Sequence, residues 1–230
     1  MNWIIVVAGG DGERMHLNFN KVFLILKRHP ILYWTLRQLE SSPAIDKVLI
    51  ATRAVDIPAV EKLIKNAKFT KVTHVFEGGS SRQNSVYLVL RALKKEFHED
   101  DLIGIHNAVN PFVNMDEIEE VFLQAKENKA ALLAQPARDT VKMINDNGEV
   151  DYTPLREKMW CAQTPQVAQF KHLWDAFEKA IADDFCGTDD TQLLEHIGIK
   201  AKIVPCSSHN IKLTYPEDME LAKLIIKQFS

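Results

Sequence analysis

Short apolar runs rich in β-branched residues alternate with longer amphipathic stretches, and this alternation constrains the fold more than any other feature of the chain. The runs cover residues 3–7, 48–52, 71–76, 102–106, 130–134 and 201–205. Between them, residues 31–39, 57–67, 83–97, 115–128, 169–182 and 216–229 carry helical patterning. In 115–128, for example, Ile118, Val121, Phe122 and Ala125 share one face. Pro216 suits the first turn of the last helix, with Glu217 and Asp218 at its positive end. A run such as Ile4-Ile5-Val6-Val7 has no polar alternation and fits a strand buried on both faces. The pattern predicts an α/β fold: a mostly parallel sheet covered by helices on both sides. Ligands of such sheets bind beyond the carboxyl ends of the strands.

The stretch 140–166 breaks the alternation. It is polar, lacks a helical stripe and carries Asn145-Asp146-Asn147-Gly148, a strong hairpin signal, so an extended arm is expected there. No Gly/Ser/Pro-rich linker divides the chain. With 230 residues, 46% of them hydrophobic, it can bury a substantial core as one domain, 1–230. The formal net charge of −3 offers no basic surplus for nucleic acid, so an anionic ligand must be held by a few local cations. Cys161, Cys186 and Cys206 lack metal-ligand spacing and suit free thiols in a reducing compartment. The N-terminal apolar run is too short for a signal peptide, and no stretch is long enough to span a bilayer. A cytoplasmic protein without membrane or nucleic-acid partners is expected.

Directly after the first run comes Ala8-Gly9-Gly10-Asp11-Gly12-Glu13-Arg14-Met15, with Lys21 downstream. Glycines at 9, 10 and 12 let the backbone turn tightly and bring N–H groups close to an anion. Arg14 offers a planar fork for phosphate oxygens, and Lys21 a mobile point charge. An ordinary strand-to-helix turn is the plainer alternative. No Gly-Lys-Ser/Thr follows, and the spacing misses Gly-x-Gly-x-x-Gly, so any phosphate binding differs from both motifs.

This loop resembles the Ala-Gly-Gly-x-Gly-x-Arg-Met signature of sugar-nucleotide-type nucleotidyltransferases. Lys21-Val22-Phe23-Leu24 and Pro30-Ile31-Leu32 are similar to that group's Pro-Lys-Gln-Phe-Leu and Pro-Ile-Leu, with Asn20 replacing the proline and Val22 the glutamine. Further segments resemble one branch, the methylerythritol phosphate and ribitol phosphate cytidylyltransferases. They are Gly78-Gly79-Ser80-Ser81-Arg82-Gln83-Asn84-Ser85-Val86, Pro136-Ala137-Arg138-Asp139-Thr140-Val141-Lys142, Arg156-Glu157-Lys158-Met159-Trp160 and Gln163-Thr164-Pro165-Gln166. Thr188-Asp189-Asp190 and Asn210-Ile211-Lys212-Leu213-Thr214 with Pro216-Glu217-Asp218 complete the set. Taken singly, Ser80 or Ser81 reads about equally well as a helix cap, Thr188-Asp189-Asp190 is more often a helix cap, and Asn210-Ile211-Lys212 is more often a strand end. Together and in order, the resembling segments span residues 4 to 222.

The resemblance implies a Rossmann-like three-layer nucleotidyltransferase fold whose β-arm serves dimerisation. It implies transfer of CMP from CTP to a small polyol phosphate with release of pyrophosphate, in isoprenoid biosynthesis if the acceptor is methylerythritol phosphate. The acceptor's own phosphate would be the nucleophile, so the site needs positive charge and in-line positioning rather than a nucleophilic side chain. Mapped onto this sequence, Arg14, Lys21 and Lys212 would be catalytic. Ala8, Gly9, Gly10, Gly12, Gly79, Arg82 and Ser85 would bind the nucleotide, with the Ser85 hydroxyl available to read the pyrimidine. Arg156, Thr188 and Thr164 would bind the acceptor, with Arg156 and Thr188 contributing across a homodimer. His106 is expected to be structural.

One segment departs. Ile105-His106-Asn107-Ala108-Val109-Asn110-Pro111-Phe112 resembles Val-His-Asp-Ala-Ala/Val-Arg-Pro-Phe, so Asn107 stands for an aspartate that helps hold Mg²⁺, and Asn110 for an arginine. Asparagine keeps a carbonyl oxygen but loses the charge that favours carboxylates as cation ligands. Three outcomes follow: an enzyme with weakened or rearranged metal binding, a different polyol phosphate, or a nucleotide-binding protein without turnover. The resembling segments place methylerythritol phosphate slightly ahead of ribitol 5-phosphate.

Overall fold

The computed structural model describes residues 1–229 except 11, 13, 14, 16 and 17. Along the chain run β1 (Asn2–Val7), a small hairpin of β2 (Ile25–Leu26) and β3 (His29–Pro30), α1 (Ile31–Ser41), β4 (Lys47–Thr52), α2 (Ile57–Ala67), β5 (Val72–Glu77) and α3 (Arg82–Ala92). Then follow β6 (Leu102–Asn107), α4 (Met115–Asn128), β7 (Ala130–Pro136), the two short strands β8 (Met143–Ile144) and β9 (Val150–Tyr152), and β10 (Trp160–Gln169). The chain closes with α5 (Phe170–Ala182), α6 (Asp190–His196), β11 (Lys202–Pro205) and α7 (Pro216–Ile225). Seven strands form one sheet in the order β11-β7-β10-β6-β1-β4-β5. Every pairing is parallel except those of β10, which runs antiparallel to both β6 and β7.

The unbroken apolar runs explain the three layers. In β1 and β4, Ile4, Val6, Val48 and Ile50 face one core with Leu36, Val60, Ile118 and Ala222. Trp3, Ile5, Leu49 and Ala51 face the other, with Val86, Leu90, Phe177 and Leu194. Strand residues alternate faces with period two, so both faces bury apolar side chains and neither strand shows polar alternation.

The helices at 57–67 and 115–128 have the bounds that periodicity predicts. Asn114 and Glu117 form a capping box that fixes the start of α4. The last helix begins at Pro216, and Asp218 accepts the backbone N–H groups of Thr214 and Tyr215 at 2.6 and 2.8 Å.

The structure corrects the extent of the arm. Only β8 and β9 form a projecting hairpin, closed by Asn145, whose side-chain oxygen accepts the N–H groups of Asn147 and Glu149. Residues 160–166, expected to belong to the arm, lie in β10 near the middle of the sheet. Their polar sequence and Pro165 hide the strand, because its register shifts between Ala162 and Gln166. Three residues there oppose one on β7, a bulge that accommodates proline and turns polar side chains out of the ladder. α3 also stops at Ala92, not Phe97, and α6 is a short helix of which only the cap was legible.

Candidate active site

The carboxyl ends of β1, β4, β5 and β6 lie side by side, with Val7 opposite both Ala51 and Asn107 and Thr52 opposite Glu77. The segments leaving these ends enclose a cavity of about 430 Å³ lined by Val7, Gly9, Gly10, Arg53, Gly78–Arg82 and Ser85. A second cavity of about 290 Å³ is lined by Arg82, Asn107, Gln163, Thr164, Thr188, Asp189 and Lys212, among others. Arg82 belongs to both, so the two chambers form one cleft divided by a guanidinium.

The first chamber is built of local contacts. Ser81 caps α3, its hydroxyl accepting the N–H of Asn84 at 3.0 Å. The Ser85 hydroxyl accepts the N–H of Gly79 at 3.0 Å and donates to the Ser81 carbonyl at 2.8 Å. Ser85 thus shapes the loop that it lines, a role the expected base-reading hydroxyl did not include. A Cβ on Gly79 would stand 1.8 Å from the Asn84 side-chain oxygen, so a larger residue there would force the Asn84 side chain to move. Helix capping and ligand binding are compatible here. The cap fixes the first turn of α3, and Ser81, Arg82 and Ser85 at this end of the helix line the chamber.

Ala8 directly follows β1, and its N–H donates to the Ala51 carbonyl at 2.7 Å. Gly12 is buried at φ 76°, a left-handed conformation that favours glycine. Lys21 is almost fully buried, and a Cβ on Gly10 would lie 3.6 Å from its Cε, so the lysine stem packs beneath the glycine loop. Arg14 lies outside the described residues.

The second chamber is assembled from distant segments. Arg82 Nη2 donates to Asp190 at 2.6 Å. Burial opposes the charge on Arg82, but Asp190 and Asp189 outweigh it and raise the arginine pKa above its ordinary value. Asn107 donates from its side-chain amide to Asn110 at 3.2 Å and Thr164 at 3.4 Å, while its oxygen faces Arg82 Nε at 3.4 Å. Asn110 is fully buried and donates onward to Asn210 at 3.2 Å and Gln163 at 3.4 Å. Asn210 in turn holds the Thr164 carbonyl at 3.0 Å. Lys212 is fixed by its neighbours, since the Leu213 N–H donates to Val109 at 2.9 Å.

Asn107 and Asn110 therefore bond directly to each other inside a neutral amide network. His106 belongs to the same floor. It is fully buried, and its Nε2 donates to the Asn110 carbonyl at 3.1 Å. Burial lowers its pKa to about 4, so the ring is neutral near pH 7, and its Nδ1 has no hydrogen-bond partner among the described residues. These contacts fit the structural role expected for it.

Thr188 lines the second chamber beside Asp189, the cap of α6, whose carboxylate accepts from Gln192, Thr191 and Gln166. Arg156 stands apart on an exposed 3₁₀ turn, Arg156–Lys158, at the root of the arm, and shares neither chamber. Sequence reasoning gave no role to Arg53, Gln163, Gln166, Asp190 or Asn210. Asp190 was within reach, as an acidic residue in a motif already singled out, but its partner lies 108 positions away.

No three His, Cys, Asp or Glu side chains converge among the described residues in a way that would hold a metal ion. Among the described residues, the cleft-lining carboxylate Asp189 already accepts from Gln166, Thr191 and Gln192, and the nearby Asp190 and Asp56 are paired with Arg82 and Arg53. Among the described residues of the cleft, Asn107 offers a divalent cation a neutral oxygen, a weaker ligand than a carboxylate.

The family model described as IspD, 2-C-methyl-D-erythritol 4-phosphate cytidylyltransferase, matches residues 2–228. The chain is 41% identical over 225 residues to the 2-C-methyl-D-erythritol 4-phosphate cytidylyltransferase of Geobacter metallireducens, covering 97% of both chains. Among solved structures it superposes on the 4-diphosphocytidyl-2C-methyl-D-erythritol synthase of Anaerococcus prevotii with a TM-score of 0.86 at 28% identity, covering 99% of this chain and 96% of that one. The corresponding cytidylyltransferase of Francisella tularensis gives a TM-score of 0.79 at 30% identity over 97% and 99% of the two chains.

Proposed function

This chain belongs to the 2-C-methyl-D-erythritol 4-phosphate cytidylyltransferase family, and we propose on that footing that it transfers CMP from CTP to 2-C-methyl-D-erythritol 4-phosphate, releasing pyrophosphate. The observation that carries the reading is the cleft with two chambers meeting at Arg82. The glycine-rich chamber suits a nucleotide triphosphate, and the chamber with Lys212, Thr164 and Thr188 suits a small polyol phosphate.

The acceptor phosphate attacks the α-phosphorus in line, and pyrophosphate leaves from the opposite side. Lys21, with Arg14 of the glycine-rich segment, neutralises the triphosphate and the charge that develops on the pentacoordinate phosphorus. Lys212 approaches from the acceptor side. No side chain needs to give up a proton, because the nucleophile is already an anion. Mg²⁺ brought in with the triphosphate would neutralise phosphate charge, and among the described residues Asn107 would offer it a neutral oxygen.

A second copy of the chain completes the reading. Met143, Ile144, Val150, Tyr152 and Leu155 are exposed apolar residues on and beside the hairpin, and Arg156 stands next to them. Covering this surface with a partner subunit in a homodimer would bring Arg156 to the other subunit's acceptor chamber. Residence in the cytoplasm is supported by three cysteines that form no disulfide, and no described helix is long and apolar enough to cross a membrane.

The experiment is pyrophosphate release from CTP with 2-C-methyl-D-erythritol 4-phosphate, with ribitol 5-phosphate and other polyol phosphates as rivals. Turnover with the first acceptor is expected. The neutral Asn107–Asn110 pair favours one other reading, nucleotide binding without catalysis. CTP binding with no turnover on any acceptor would select it, and preference for GTP or UTP would overturn the base assignment.

A further inference from the structure

Asn20, which stands where the resembling segments carry proline, is fully buried and makes three hydrogen bonds. Its side-chain amide donates to the Ala8 carbonyl at 2.6 Å and to Asp56 Oδ2 at 2.9 Å. Its oxygen accepts the Val22 N–H at 3.2 Å, capping the short turn Lys21–Phe23. Asp56 Oδ2 also accepts from Arg53 Nε at 2.6 Å, and Arg53 lines the nucleotide chamber. Burial works to raise the Asp56 pKa, but the bonds from Arg53 and Asn20 prevail and keep the carboxylate ionised below the ordinary aspartate value.

Three segments thus meet at one side chain: the end of β1 that opens the glycine loop, the turn bearing Lys21, and the 3₁₀ turn Ala54–Asp56 that leads into α2. A lysine works on phosphate as a point charge at the end of a flexible stem, so its effect depends on where its turn is anchored.

We propose that Asn20 and Asp56 are positioning residues: they fix the Lys21 turn against the glycine loop and Arg53, and so set where the lysine meets the nucleotide phosphates. The proposal rests on the cytidylyltransferase reading above.

The backbone of Asn20, at φ −66° and ψ 123°, is one that proline adopts. Asn20→Pro therefore keeps the chain path and deletes all three side-chain bonds, while Asn20→Ala deletes them without fixing φ. Turnover and CTP binding by calorimetry would be measured for wild type, Asn20→Pro, Asn20→Ala, Asp56→Asn, Lys21→Ala and Asn20→Pro/Lys21→Ala. Expected is a fall in kcat/KM on the order of tenfold to a hundredfold for Asn20→Pro, a smaller fall for Asp56→Asn, and no further loss when Asn20→Pro is added to Lys21→Ala. A role confined to stability would lower Tm and leave kinetics unchanged, or would lower activity by the same factor with and without Lys21; either result overturns the proposal. If Asn20→Ala fails to fold, Asn20→Pro decides the question, and loss of folding in both variants also counts against positioning. Wild-type CTP binding separates the two readings: without it the cytidylyltransferase reading fails and takes this proposal with it, whereas normal binding with multiplicative variants sinks this proposal alone.

Discussion

The two chambers of the cleft are held in different ways. The nucleotide chamber closes through contacts between near neighbours: Ser81 with Asn84, Gly79 with Ser85, Arg53 with Asp56. The acceptor chamber closes across the chain, Arg82 to Asp190 over 108 positions, Asn110 to Asn210 over 100 and Asn107 to Thr164 over 57. The first is braced by bonds within single strand–loop–helix units that meet at the carboxyl ends of β1, β4 and β5, and the second is braced by bonds between segments far apart in the chain. The first also concentrates charge next to glycines, whereas the second is floored by neutral amides with one ion pair at its edge. Substitution is therefore unforgiving in the first chamber for local steric reasons, and in the second because every member of a shared network depends on the others.

The sharpest test of this contrast is Lys21→Ala. Removing a cation from the phosphate side should lower kcat/KM by a factor on the order of 10²–10³, with Tm close to wild type. Steady-state pyrophosphate release and a thermal melt measure both. Near-normal turnover would show that the glycine loop alone handles the phosphates.

The next test reads the neutral floor through pH. The His106 pKa is about 4 in the folded protein, against an ordinary value of 6.5. Between those values the unfolded chain binds the proton and the folded one does not. Stability is therefore complete above about pH 6.5 and falls as pH drops toward 4, by about 3 kcal/mol. Urea unfolding at pH 7.0 and pH 4.5 should show the loss, and His106→Gln should flatten that part of the profile. An unchanged slope in the variant would place the acid sensitivity elsewhere.

Arg82 belongs to both chambers, and its truncation should disturb both. Arg82→Ala leaves the Asp190 carboxylate, with a side chain only 3% exposed, without its partner. Because the arginine is itself 28% exposed, the cost should be about 2 kcal/mol. Denaturant melts would record it, and KM should rise for CTP and acceptor together. A rise for CTP alone would mean that the chambers are less tightly joined than their shared wall suggests.

The same division explains what could be read from the sequence. The strands came through because runs such as 3–7 are apolar on both faces, and the loops after them followed from parallel-sheet geometry. The glycine loop, the Ser81 cap and the Asp189 cap are contiguous motifs, so their chemistry is written in adjacent residues. β10 stayed hidden because Gln163-Thr164-Pro165-Gln166 has no strand signature, and its bulge is what makes those residues useful in the cleft. Asp190 and Asn210 could not be assigned for a related reason. Nothing in a linear sequence says which polar residue a hundred positions away will meet Arg82 or Asn110. Asn20 illustrates the middle case: it was visible as a departure, while its three partners were not.

The smallest predicted effect falls at the point where the two designs meet. Asn107→Asp would put a carboxylate beside Arg82 Nε and strengthen that contact. It would also remove the amide that donates to Asn110 and Thr164, and set two oxygens against each other where Asn110 already commits its own amide to Gln163 and Asn210. These effects oppose one another, so the net loss of stability should be about 1 kcal/mol. The new charge should nonetheless tighten a divalent cation held on bound CTP by several-fold, measurable as Mn²⁺ binding by electron paramagnetic resonance in the CTP complex. If Asn107→Asp leaves Mn²⁺ affinity unchanged, the amide floor does not face the cation at all. The neutral pair would then be a structural solution for packing Arg82 against Asn110, and the acceptor chamber would depend on Lys212 and a partner's arm for its positive charge.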